Sequence, residues 1–146
     1  MIEINNEISY YGMVARPNRD KILINLDKIK RDNLPPLKII AVIIHEQKHI
    51  MLNPLIFSGR LKNFLDSLDE NQKDCLDTIR HNKNQETLEL AFEELIVNEL
   101  TRLELGLTKD EYKEQIGSDI AQFGTMPIGD KIREFMEVIQ NELQSL

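Results

Sequence analysis

The pattern of apolar and polar positions changes character along the chain. Residues 7–14 are rich in β-branched and aromatic side chains, and residues 21–26, Lys21-Ile22-Leu23-Ile24-Asn25-Leu26, form a second such run. Pro17-Asn18-Arg19-Asp20 between them has turn chemistry, so a hairpin or two strands of a small sheet are predicted within a β-rich part over 1–30. From Asn33 the period becomes helical. Pro35-Pro36 sits where a helix can open, because its first positions need no amide donor. Ile40, Ile43, Ile44 and Ile50 then share a face as far as Asn53-Pro54, which ends a helix predicted over 33–53.

Weaker helical patterns cover 55–68 and 71–79. A strong one covers 85–105 and stops at Gly106, a helix-ending residue. Thr108 and Glu111 form a capping box for a short helix to Ile116. Gly117, Gly124, Pro127 and Gly129 punctuate the chain before a last amphipathic helix over 129–146, with Ile132, Phe135, Met136, Ile139 and Leu143 on one stripe. The predicted class is therefore α+β, mainly α. A small N-terminal sheet or hairpin packs on the 33–53 helix, followed by a C-terminal helical part.

Composition narrows the functional range. A chain of 146 residues with 41% hydrophobic and 29% charged residues fits one globular domain over 1–146. The formal charge of −7 and the lack of a Lys/Arg cluster argue against nucleic acid and against an anionic membrane surface. The single cysteine, Cys75, makes no intramolecular disulfide and reads as a small apolar side chain. The first residues have no signal-peptide pattern, and the apolar run 39–44 is too short to span a bilayer. These features lead to the expectation of a soluble cytoplasmic protein.

Chemistry concentrates in His45-Glu46-Gln47-Lys48-His49. Residues four apart on a helix lie one above the other, so His45 and His49 can converge on one zinc ion. Glu46, one position on, reaches a bound water instead of the metal and can act as its general base. The site needs a third protein ligand and an open fourth position. Leu52 and Leu55 stand where an elongated H-E-x-x-H-x-x-G-x-x-H motif would need Gly and His, which leaves His81 and the acids of the 85–105 helix. Glu94 fits best: Ala91 and Thr101 allow close helix approach, and Asn98 offers a polar group that can orient an imidazole. Glu99, within the stripe of Phe92, Leu95, Ile96 and Leu103, is the main rival, since a carboxylate buried there would need a partner. Glu89, with bulkier neighbours, is a third choice.

With His45-Glu46-x-x-His49 and Glu94-x-x-Val97-Asn98-x-x-Thr101, residues 20–105 resemble the gluzincins, and among them the small minigluzincins and ImmA/IrrE-type metallopeptidases. The chain departs from their pattern at Lys48, where an uncharged residue is usual, and at Val97, which is larger than the usual Ala. The resemblance implies a zinc endopeptidase with a strand above the motif helix. It implies that a peptide or protein substrate pairs antiparallel with a rim strand, matched here to the run containing Ile22 and Ile24. It also implies a Tyr, His or Arg donor for the oxyanion, for which His81, Tyr10, Tyr11 and Tyr112 are the candidates. A last helix folded over the cleft would hold such an enzyme latent. The alternative function is a zincin-like binding or regulatory protein with weak or absent hydrolysis, and a third is a metal-free helical interaction domain.

Overall fold

The computed structural model describes residues 1–117 and 127–144, with side chains to residue 141. Gly124 and the side chain of Leu143, named above, lie outside the described residues. The fold is mainly helical with a small N-terminal sheet, as the hydrophobic pattern predicts.

Three short strands, β1 (Ile2–Ile4), β2 (Gly12–Val14) and β3 (Ile22–Ile24), form a sheet in the order β1-β3-β2. β2 and β3 pair antiparallel across the 15–20 turn, with Met13 opposite Leu23. β1 adds in parallel to the far edge of β3, with Glu3 opposite Leu23. Ile22 and Ile24 therefore do not form a rim. Their strand is central, both its edges are occupied, and their side chains are buried beneath Ile39, Val42, Ile43 and Ile50. The edge strand is β2. Ala15 N–H donates to Lys21 O and Asn25 N–H to Tyr11 O, both at 2.9 Å. By the alternation of an antiparallel ladder, Gly12 and Val14 then turn their N–H and C=O groups to the free edge.

After α1 (Leu26–Arg31), capped by the Asn25 side chain, comes the long α2 (Pro36–Met51). Pro36 occupies its first turn, and Leu52 leads directly into α3 (Asn53–Phe57), so Pro54 starts a new helix where it ends the old one. Gly59, with φ of 80°, separates α3 from α4 (Arg60–Asp66), dividing what reads in sequence as one weak helix over 55–68. Next come α5 (Glu70–Asn82), α6 (Leu88–Leu105), α7 (Lys109–Gln115) and α8 (Gly129–Gln144). Thr87 accepts from Leu90 N–H and sets the start of α6, three residues later than the periodicity alone suggests.

Packing divides into two apolar clusters. Ile22, Ile24 and Ile29 join the sheet to one face of α2. The larger cluster surrounds α6, where Phe92, Ile96 and Val97 are wholly buried against residues of α3, α4, α5, α7 and α8. Ile132, Phe135, Met136 and Ile139 of α8 are all in this core, where the ring of Phe135 meets those of Phe64 and Phe92. α8 is thus a structural helix. No helix among the described residues is long and apolar enough to cross a membrane.

Candidate metal centre

α2 and α6 pack side by side. The helical repeat puts His45 and His49 on the face of α2 turned toward α6, where the neighbouring acids Glu93 and Glu94 meet them. His45 Nε2 lies 3.3 Å from His49 Nε2. The two Glu94 oxygens are shared between them, one 3.2 Å from His45 Nε2 and the other 2.8 Å from His49 Nε2. The three side chains present ligand atoms that all lie within 4.8 Å of one another. Tetrahedral ligands held about 2.0–2.1 Å from an ion stand roughly 3.3 Å apart, so these separations suit a group closing on one cation. His45, His49 and Glu94 form a His-His-Glu group able to hold a metal ion.

The other candidate ligands lie elsewhere. Glu99 is paired with Arg102 one turn along α6, so its partner is a guanidinium. His81 is exposed on α5 beside Asp77 and Arg80. Glu89 is not part of the cluster.

Behind the ligands lies a layer that the sequence did not disclose. Glu93, only 3% exposed, accepts a short hydrogen bond from His49 Nδ1–H. With Nδ1 so engaged, Nε2 is left to bind a metal. Arg19 grips the far side of Glu93 through two bonds, at 2.6 and 3.0 Å, and also donates to the carbonyl of His49. The Arg19 backbone is left-handed (φ 54°), and Asn53 donates to its carbonyl at 2.6 Å. The turn between the strands is thereby tied to the end of α2. One clue was present in the sequence: Glu93 shares a face with Val97, Leu100 and Thr101, and an acid on such a buried line needs a partner.

Electrostatics follow from this arrangement. Burial opposes charge on Glu94, but hydrogen bonds from His45 and His49 outweigh it and hold the carboxyl far below its usual range. Burial also opposes charge on Glu93, yet His49 and Arg19 keep it below the usual range. For His49, burial disfavours the cation, but the bonds to Glu93 and Glu94 push its pKa up to about 10. Glu46 differs: burial dominates and raises its carboxyl, although both imidazoles pull the other way. Of the three acids only Glu93 is paired with a guanidinium, that of Arg19.

Two pockets, of about 360 and 480 Å³, open on this centre. Both are lined by Tyr10, Gly12, His45 and Glu46, and the larger also by His49, Glu93 and Glu94. The larger continues along Met13, Val14, Arg16 and the α5–α6 loop. The smaller continues along Lys38, Ala41 and Val42 of α2 to Asn98, Tyr112 and Ile116. Gly12 is required where β2 packs on α2, because a Cβ there would stand 2.8 Å from Val42 Cγ1. Among the expected oxyanion donors, Tyr10 lines both pockets and the buried Tyr112 lines one, its hydroxyl 3.4 Å from Asn98 Oδ1. Burial pushes the Tyr112 phenol up to about 12, so it stays protonated and able to donate. Tyr11 is committed to Asp32 and His81 is remote. Asn98 contacts Tyr112, and no bond joins it to either imidazole.

Lys48 pairs with Glu104 at 2.8 Å and lines neither pocket. No described residue of α8 lines them either, which corrects the expectation that the last helix covers the cleft: its apolar stripe is spent on Phe64 and Phe92. No protein-family model, no curated protein and no solved structure matches the chain.

Proposed function

We propose that the protein is a zinc-dependent peptidase of the gluzincin type. In this reading His45, His49 and Glu94 bind one zinc ion, and Glu46 is the general base. The observation that carries it is the convergence of His45 Nε2, His49 Nε2 and Glu94 in the larger pocket, with Glu46 lining it beside them and His45 and Glu46 shared with the smaller one. Two nitrogens and one oxygen are a donor set that zinc accepts with a fourth position left over. Bound zinc supplies a Lewis acid that acidifies water and polarises a substrate carbonyl.

The chain's own residues have distinct tasks. Glu93 fixes the ring of His49, and Arg19 fixes Glu93. Glu46 takes a proton from the attacking water and passes it to the leaving amine. The burial that raises its carboxyl brings its basicity closer to neutrality, where such transfers are most efficient. The free edge of β2 offers the N–H and C=O groups of Gly12 and Val14 to an extended peptide, which adds to the sheet as an antiparallel strand. This assigns the rim to β2 instead of the run containing Ile22 and Ile24.

Peptide cleavage by zinc-loaded protein, lost in Glu46→Gln with metal content unchanged, is the expected result. Cleavage undiminished by Glu46→Gln would overturn the assignment. A metal-binding regulatory protein without hydrolysis is the second reading. Lys48, one departure from the gluzincin pattern, pairs with Glu104 and lines neither pocket, which leaves the first reading ahead.

A further inference from the structure

The two pockets differ in a way that bears on which peptides fit, given the peptidase reading above. Along α2, Lys38, Ala41, Val42 and His45 share one face and line the smaller pocket. Lys38 is half-buried, and among the described residues it has no ion-pair or hydrogen-bond partner. The other cation of that pocket, Lys28, is already engaged: it pairs with Asp32 at 3.4 Å and lies 4.7 Å over the Tyr11 ring. No carboxylate other than Glu46, at the pocket's metal end, lines this pocket. A lysine that lines a pocket with the apolar Leu34 and Val42 and has no carboxylate of its own to pair with is placed to bind one from a ligand.

Position follows from helix geometry. Lys38 and His45 are seven residues apart, about 10 Å along the axis, which an extended peptide covers in roughly three residues. Direction follows from β2. The smaller pocket is lined by residues leading into this strand (Ser9, Tyr10, Tyr11), and the larger by those leading out of it, such as Arg16. A substrate antiparallel to β2 therefore runs from Arg16 toward Ser9, and its part beyond the scissile bond enters the smaller pocket.

We infer that Lys38 forms a carboxylate subsite on the leaving-group side of the cleft, selecting peptides with an acidic group about three residues beyond the cleaved bond. The carboxylate is supplied either by an Asp or Glu side chain or by the free C-terminus of the chain.

The test uses zinc-loaded Glu46→Gln protein, which binds peptide without turnover, and two pairs of peptides. One pair differs only by Glu or Gln at the third residue beyond the bond. The other ends at that residue as a free acid or as an amide. The acid member of at least one pair is expected to bind about tenfold more tightly, and Lys38→Met, a substitution suited to a helix surface, is expected to erase the difference. Whichever pair shows the effect identifies the source. Equal binding within both pairs, or a difference that survives Lys38→Met, overturns the subsite. Cleavage by the wild-type protein with no acid preference overturns the subsite alone and leaves the peptidase reading standing. Lys38-dependent acid binding without cleavage supports the subsite and removes the peptidase reading.

Discussion

Glu93 binds His49 on the nitrogen opposite the one turned to Glu94, so a single imidazole is held between two adjacent carboxylates of α6. One carboxylate holds the ring by Nδ1 and the other completes the His-His-Glu group. This orientation has a measurable consequence. Glu93→Gln keeps the volume but loses the charge, and zinc affinity is expected to fall about 10- to 100-fold. Arg19→Met leaves Glu93 buried without its guanidinium, with an expected stability loss of about 3 kcal/mol and weaker metal binding. Competition with a chromogenic chelator measures the first effect and denaturant unfolding the second. Unchanged affinity in both variants would remove the orienting role.

Glu46 lines both pockets beside His45 and is not a member of the ligand group. Glu46→Gln is expected to retain stoichiometric zinc while lowering kcat about 10²- to 10⁴-fold. His45→Ala and Glu94→Ala are expected to lose the metal as well, which separates ligand from base by metal analysis alone. Glu99→Ala, by contrast, breaks a pair with Arg102 and should leave zinc bound.

Protonation and metal compete for one place. In metal-free protein His49 is raised to about 10 from an ordinary value of 6.5, so its charged form stabilises the fold. That contribution is complete below pH 6.5 and is lost as pH rises toward 10. Glu94 is depressed from 4.5, so its contribution is present above that pH and is lost on acidification. The Tm of metal-free protein should therefore fall between pH 6.5 and 10. Added zinc, which replaces the His49 proton, should raise Tm by an increasing amount across the same interval. A Tm of the metal-free protein that rises with pH over this range would contradict the arrangement.

The packing of β2 on α2 leaves no room for a side chain at Gly12. An added methyl would meet Val42 Cγ1 at 2.8 Å and Ile24 Cδ1 at 3.1 Å. Gly12→Ala is expected to destabilise the protein by about 1–3 kcal/mol, and Val42→Ala in that background to recover part of the loss. The denaturant midpoints of the two single variants and the double variant supply the comparison. Additive losses would show that the contact with Val42 is not the cause.

Local signals carried much of this architecture. Pro36 starts α2 and Gly106, at φ of 70°, ends α6, whereas the cap at Thr87 that opens α6 went unread. The imidazole pair was legible because i and i+4 on a helix always meet. Glu94 was legible through its small neighbours. β1 was not, because three residues pairing in parallel with a strand some twenty positions later leave no local period. The rim was misassigned for the same reason: which strand is central depends on a third strand that the pattern did not reveal. Arg19 and Glu93 are 74 residues apart, and each alone reads as ordinary, one a turn residue and the other one of several glutamates on a helix. Glu99 illustrates the converse. A carboxylate in that apolar stripe needs a partner, and its partner is Arg102.

The proposed activity requires His45, His49 and Glu94 to close on one metal ion. Anomalous diffraction at the zinc edge, from crystals of protein purified without a chelator and supplied with one equivalent of zinc, tests it most directly. A single peak about 2.0–2.2 Å from His45 Nε2, His49 Nε2 and one Glu94 oxygen is the expected result. A peak held by other side chains, or none with the two imidazoles turned apart, would contradict it.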